Sequence, residues 1–297
     1  MTEDKNCPSC DKTTCSSKTQ RPDENTDQFI ERQALNKRLC QIKHKILVMS
    51  GKGGVGKSTV AVNLALALVQ KGYKVGLMDV DIHGPNIPKM LGLEGRPIAG
   101  GQENIQPVIH SSNLKVMSMA FFLRQNSDAV IWRGPIKGVL IKQFIKDVDW
   151  GKLDYLIIDA PPGTGDEPLS VAQLIEDADG AIIVTTPQEV SLLDIRKSIT
   201  FCRQLKMNVI GIVENMSGFI CPHCGKRTDL FKSGGGIKVA HEMEVPFLGS
   251  IPIDAKVVES GDNGLPIVAD QPDNPVSKAY QEIVNNIIDS KSKHETT

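Results

Sequence analysis

The chain has 297 residues, 40% of them hydrophobic, which is enough for one large α/β domain with a sizeable core. Its formal net charge is −1, with acids and bases interspersed, so the basic footprint of a nucleic-acid or anionic-membrane binder is excluded. No apolar run approaches the roughly 18 residues of a membrane span and the polar start does not read as a signal peptide, so the expected compartment is the cytoplasm.

Residues 1–28 are polar and read as a flexible tail. The tail nevertheless carries Cys7, Cys10 and Cys15, and Cys-x₂-Cys spacing lets two thiolates share one metal, in an iron–sulfur cluster or a zinc site. The total of seven cysteines is odd, which argues against a full disulfide framework. Phe29 to Leu39 reads as a short charged helix, and Cys40 is expected to pack against the strand that follows. That strand is Ile46-Leu47-Val48-Met49, and it runs into Gly51-Lys52-Gly53-Gly54-Val55-Gly56-Lys57-Ser58-Thr59. Ala61, Leu64, Ala65 and Leu68 then recur at one-face helical spacing. Strand, glycine-rich turn and helix are the context the phosphate-binding loop G-x-x-x-x-G-K-[ST] requires. Its glycines let backbone N–H groups converge on phosphate oxygens, and the helix start adds partial positive charge. Lys57 is expected to reach the β- and γ-phosphates, and the Ser58 hydroxyl to ligate Mg²⁺. Lys52 is a second cation, too early in the loop to do the same work, and placed to touch phosphate in its own subunit or in a partner's.

Lys74 to Met78 reads as the next strand, leading into Asp79-Val80-Asp81. A carboxylate at a strand's C-terminal end beside a phosphate loop can orient a Mg²⁺-bound or attacking water. Asp81 takes that role, while Asp79 supports the metal or the loop. Gly92 to Gly101 is a loop, Ile105–Ile109 and Leu114–Met119 suggest a hairpin, and Pro135–Val148 a helix. Tyr155 to Asp159 is continuous and apolar until its acid, as suits a parallel strand buried on both faces. Asp159 stands where a Walker B acid belongs, holding Mg²⁺ through water. In the following Pro161-Pro162-Gly163, the Gly163 N–H can approach a γ-phosphate.

Ala181–Thr185 and Val209–Val213 are further buried strands, separated by a helix over 188–205 whose apolar positions include Val190, Leu193, Ile195, Ile199 and Cys202. No Asn-Lys-x-Asp guanine signature follows Val213, so ATP is favoured. Cys221-Pro222-His223-Cys224 is half of a tetrahedral metal site, and its missing ligands can come across the two-fold axis of a dimer or from the tail. An iron–sulfur cluster is favoured over zinc at Cys221 and Cys224. Ser233 to Gly236 opens a helix but lacks a lysine, and reads as a hinge. Phe247–Ile251 is the last strand. Pro252-Ile253-Asp254 begins a loop whose backbone can close over the adenine, with Asp254 capping a helix there. Asn274–Ile288 is a final amphipathic helix, and 291–297 a polar end.

The expected fold is a three-layer α/β P-loop NTPase, with a mostly parallel central sheet and helices on both faces, over residues 29–290. The early Lys52 makes the loop resemble the deviant Walker A loops of the ParA/MinD/nitrogenase-iron-protein class, which implies that Lys52 acts in trans. With Asp79 to Asn86, Asp159 to Asp166, Glu214-Asn215-Met216 and Cys221 to Cys224, the chain closely resembles the Mrp/ApbC group of ATP-binding iron–sulfur carriers. That resemblance implies a homodimer holding a labile [4Fe–4S] cluster between Cys221 and Cys224 of each subunit. It further implies slow ATP hydrolysis coupled to exchange with a cluster-assembly scaffold and apo iron–sulfur proteins, and contact of Asn215 with the adenine. Rival readings are a ParA/MinD-type positioning ATPase and a nitrogenase-iron-protein-like electron donor.

Overall fold

A computed structural model describes residues 19–294 apart from 23, 82–83, 102–103, 123–133, 176 and 222, with backbone alone for 134–140 and 291–294. The tail cysteines Cys7, Cys10 and Cys15 lie outside the described residues.

The chain opens with α1 (Thr26–Leu39), β1 (Ile42–Ser50), α2 (Lys57–Gln70), β2 (Val75–Asp79) and the short α3 (Ile87–Met90). A small hairpin, β3 (Ala99–Gly101) with β4 (Asn104–Gln106), precedes β5 (Val108–Ser111) and β6 (Leu114–Ser118). Then come α4 (Gly134–Asp147), β7 (Leu153–Asp159), α5 (Asp166–Leu174), β8 (Gly180–Thr185), α6 (Glu189–Gln204) and β9 (Val209–Glu214). A second hairpin, β10 (Phe219–Ile220) with β11 (Arg227–Thr228), leads to α7 (Gly235–Glu242), β12 (Phe247–Ser250), α8 (Ala255–Asp262), α9 (Ile267–Asp270) and α10 (Pro275–His294).

Eight strands form one sheet in the order β12-β9-β8-β1-β7-β2-β6-β5. All neighbours are parallel except the terminal β5–β6 pair. The central strands are apolar on both faces because helices cover both. One apolar layer joins α2, α9 and α10 to the sheet, and the other joins α1, α4, α5, α6 and α7. The expected three-layer α/β architecture is therefore the observed one. Helix α2 is buried nearly all round, from Val60 to Leu68, because α10 packs over it.

Several boundaries move. Helix α1 starts at Thr26, inside the expected tail, because Asn25 and Gln28 form a reciprocal capping box. Helix α10 runs on to His294, past the boundary drawn at 290. Helix α5 has no counterpart among the elements expected from the sequence, and α8 is anticipated only through its cap at Asp254. On α6 the buried stripe is Leu192, Ile195, Ser198, Ile199 and Cys202, whereas Val190 and Leu193 are 65% and 59% exposed. Cys40 is half-buried, its thiol donating to the Lys37 carbonyl.

Candidate nucleotide and metal-binding site

Strand β1 delivers Ser50 to the C-terminal edge of the sheet, and α2 begins seven residues later. The intervening loop needs its glycines. Gly54 and Gly56 have φ of +79° and +82°, and Gly56 sits at the N-cap of α2. A Cβ on Gly51 would come within 2.6 Å of the Asp194 backbone, and one on Gly56 would collide with the Asn215 side-chain amide. No side chain caps α2, so its first-turn N–H groups face the cavity in front of the loop, as an anion site requires.

Three acids gather behind this loop. Asp79 and Asp159 end adjacent strands in register. Lys57 Nζ donates to Asp159 Oδ1 at 2.6 Å and lies 3.9 Å from Asp81 Oδ2. Lys57 is 6% exposed at the side chain and Asp159 is fully buried. Burial pushes the Asp159 carboxyl up, against the pull of Lys57 and the Ser58 hydroxyl. Burial, with the neighbouring charge of Asp159, pushes Asp79 up to about 8, opposed by the Ser118 hydroxyl and Lys57. The second oxygen of Asp159, Oδ2, is buried without a hydrogen bond among the described residues. An orphaned buried carboxylate oxygen beside Asp81 and the Ser58 hydroxyl is a donor set of hard oxygens, and it fits a hydrated Mg²⁺.

In front of the loop lies a cavity of about 780 Å³, whose wall includes Lys52, Gly53, Gly54, Lys57, Ser58, Thr59 and Asp81. Lys52 is half-buried there and makes no ion pair among the described residues. Asp166 and Glu167, at the start of α5, complete the rim and were not singled out in the sequence. Gly163 has φ of +91°, but its N–H donates to the Ser50 carbonyl at 2.8 Å. The expected approach to a γ-phosphate thus requires that bond to open.

A second cavity of about 390 Å³ shares Gly56, Thr59, Asn86 and Met90 with the first, and Met216, Ile253, Val257 and Tyr280 make it largely apolar. A phosphate chamber joined to an apolar one suits a nucleotide. Asn215 and Asp254 both line the second chamber. The Asn215 amide nitrogen donates to the Val55 carbonyl at 2.9 Å, so it braces the phosphate loop. Asp254 caps α8 through Lys256 N and accepts from Asn274 Nδ2, each at 2.9 Å, which is the expected capping role. Met90 carried no sequence signal, because an apolar side chain of a base pocket looks like core, while Ile253 was expected there only through its backbone and Met216 only as part of its motif.

Glu214 was expected only as part of its motif, with no role of its own. Its buried carboxylate accepts from Ser217 Oγ and from the N–H groups of Gly234 and Gly236 at the start of α7. That helix start already holds an anion of the protein itself, which is why Ser233 to Gly236 is no phosphate site.

Cys221 and Cys224 sit in the turn between β10 and β11, the first half-buried and the second exposed. Cys221 N donates to Lys226 O at 3.0 Å, and Gly225 N to Cys221 O at 2.9 Å. Backbone hydrogen bonds from Cys224 and His223 hold the Cys221 thiol below its ordinary value, favouring the thiolate that metals bind. No group of three or more His, Cys, Asp or Glu side chains able to hold a metal occurs among the described residues. The turn therefore offers two donors of a four-donor site. Phe219 bridges to Ile253, whose N–H donates to Gly218 O at 2.8 Å, so the hairpin is fastened to the wall of the apolar chamber. Arg21, the approach to the tail, lies beside Leu205 to Asn208 at the opposite edge of the sheet.

Residues 41–288 match the family described as ParA: NUBPL iron-transfer P-loop NTPase. The chain is 51% identical over 282 residues to the iron-sulfur cluster carrier protein of Methanocaldococcus jannaschii, covering 94% of this chain and 95% of the relative. It is 52% identical to the cytosolic Fe-S cluster assembly factor Nubp2 homolog of Aedes aegypti, covering 86% of this chain and all of that one. Among solved structures, a nucleotide-binding protein from Archaeoglobus fulgidus in complex with ADP superposes with a TM-score of 0.73 at 40% identity, over 84% of this chain and 96% of that one. MinD of Pyrococcus horikoshii shares the fold, with a TM-score of 0.63 at 24% identity, over 82% of this chain and 96% of that one. The chain belongs to the NUBPL-type iron-transfer P-loop NTPases of the ParA group.

Proposed function

We propose that the chain is an ATP-hydrolysing carrier that takes up a labile [4Fe–4S] cluster and passes it to apo-proteins in the cytosol. The observation carrying this reading is the cysteine turn, with one half-buried and one exposed donor, fastened through Gly218 and Ile253 to the nucleotide cavity. Two donors per chain call for two more, and a homodimer would bring Cys221 and Cys224 of a second copy across its axis. The names of the Methanocaldococcus and Aedes relatives support the cargo and the compartment.

In this mechanism the α2 N-terminus and loop N–H groups bind the β- and γ-phosphates, and Lys57 moves from Asp159 to the phosphate oxygens. Mg²⁺, held by Ser58 and through water by Asp81 and Asp159, would neutralise charge developing on the phosphates. Asp81 orients the attacking water, whose oxygen bonds the γ-phosphorus while the bond to the β,γ-bridging oxygen breaks, giving ADP and phosphate. Lys52, in the cavity wall and without an ion pair among the described residues, would add its charge to a partner's nucleotide.

Anaerobic reconstitution with iron and sulfide tests the cargo. The wild type should gain iron, sulfide and a brown chromophore that a Cys221→Ser/Cys224→Ser variant lacks. Equal chromophore in that variant, or zinc alone in the purified wild type, would overturn the assignment. Lys57→Ala should abolish ATP turnover. Mixing inactive Lys52→Ala and Asp81→Ala subunits should restore part of it, whereas no recovery would rule out action in trans.

A further inference from the structure

Ser118 ends β6 and is fully buried. In register it faces Asp79 on β2, which in turn faces Asp159 on β7. Its hydroxyl donates to Asp79 Oδ2 at 2.8 Å and accepts the Ala120 N–H at 3.1 Å. The other Asp79 oxygen, Oδ1, accepts the backbone N–H of Asp81 at 3.2 Å. Between them, the Val80 N–H donates to the Asp159 carbonyl at 3.1 Å. The chain leaving β2 is thus pinned at two successive N–H groups, and one pin is the Asp79 carboxyl group.

A carboxylate turns easily about its last torsion. Held at Oδ1 alone, Asp79 could swing and carry the Asp81 N–H with it. The Ser118 hydroxyl takes the second oxygen and removes that freedom. The beneficiary is Asp81, whose side chain enters the phosphate cavity and whose Oδ2 stands 3.9 Å from Lys57 Nζ. Ser118 itself does not line that cavity, so its influence must pass through Asp79.

We propose that Ser118 is a positioning residue for nucleotide turnover, acting through Asp79 to set Asp81 against the γ-phosphate end of the cavity. This rests on the reading of the chain as an ATPase. A small misplacement of a group that orients the attacking water is expensive in rate, whereas the phosphate contacts that fix affinity come from the loop and α2.

Three proteins test it: wild type, Ser118→Ala, and Ser118→Thr, which keeps a hydroxyl. For each, kcat and KM for Mg-ATP, the Kd for ADP and the melting temperature are measured. Ser118→Ala should lower kcat by roughly tenfold or more, with KM and the ADP Kd within about twofold of wild type. Ser118→Thr should recover most of the lost rate. If Ser118→Ala keeps the wild-type kcat, even with a lower melting temperature, Ser118 only satisfies a buried carboxylate and the proposal is wrong. A parallel loss of ADP affinity would also overturn it, since the loop would then be the affected part. Should Ser118→Ala fail to fold, Ser118→Cys, similar in size with a weak donor, carries the same expectation. A wild type that turns over no ATP overturns the functional reading and this inference with it, whereas an active wild type matched by Ser118→Ala overturns the inference alone.

Discussion

Gly56 carries two requirements in one position. Its φ of +82° lies where a side chain is strained, and the space beside it is filled by the Asn215 amide that braces Val55. Gly56→Ala should therefore weaken ADP binding by an order of magnitude or more while leaving the far-ultraviolet dichroism intact, because the sheet behind the loop is unaffected. Titration with a fluorescent ADP analogue reads this directly, and wild-type affinity would refute it. The charged residues behind the loop obey a second logic. Lys57 and Asp159 neutralise one another in a buried pair, so removing Asp159 leaves the buried Lys57 only its longer 3.9 Å contact with Asp81. Asp159→Ala is expected to lower the free energy of unfolding by about 3–5 kcal/mol, measured in urea without nucleotide. Lys57, Asp81 and Asp159 were legible in the sequence because each sits at a fixed place in a local motif. The brace from Asn215 to Val55 was not, since the two are 160 residues apart and meet only in the folded sheet.

At the scale of elements, the end of β9 organises one flank of the site. Glu214 gathers the start of α7, Ser217 of the β9–β10 link and, through its backbone carbonyl, the Ile251 N–H. Glu214→Ala should cost about 3 kcal/mol of stability, since it strips several hydrogen bonds from one buried carboxylate and leaves helix-end donors without a partner. Urea unfolding with an unchanged slope would show it, and a change below about 0.5 kcal/mol would count against the arrangement. Long strands and helices were readable because their apolar periods run for several turns or pleats. The short α5 was not, and of α8 only the Asp254 cap was. Their apolar residues are few, and α5 starts behind Gly165, which also suits a loop. On α6 Ile195, Ile199 and Cys202 pack as the helical period predicts, but the stripe begins at Leu192 and leaves Val190 and Leu193 exposed.

At the scale of the molecule, the parallel strands carry the phosphate loop, Asp79, Asp81, Asp159 and the cysteine hairpin to one edge of the sheet, while Arg21 leads to the tail from the other. Exposed Val190 and Leu193 open α6 at the functional edge, and exposed Ile237 opens the neighbouring α7. If two copies meet there, Val190→Asp combined with Leu193→Asp should shift sedimentation from dimer to monomer with the melting temperature little changed. A variant that still sediments as a dimer would place the interface elsewhere. The same topology sets the order in which the sheet can be assembled. β1 is made early, yet its two neighbours are β7 and β8, and Ile46 pairs with Ile157 and Gly180. During synthesis at about 5–20 residues per second, this apolar strand leaves the ribosome some 5–20 s before either partner exists. Nascent chains stalled before residue 150 should therefore be protease-sensitive and bound by chaperones, with protection appearing only once β8 has emerged.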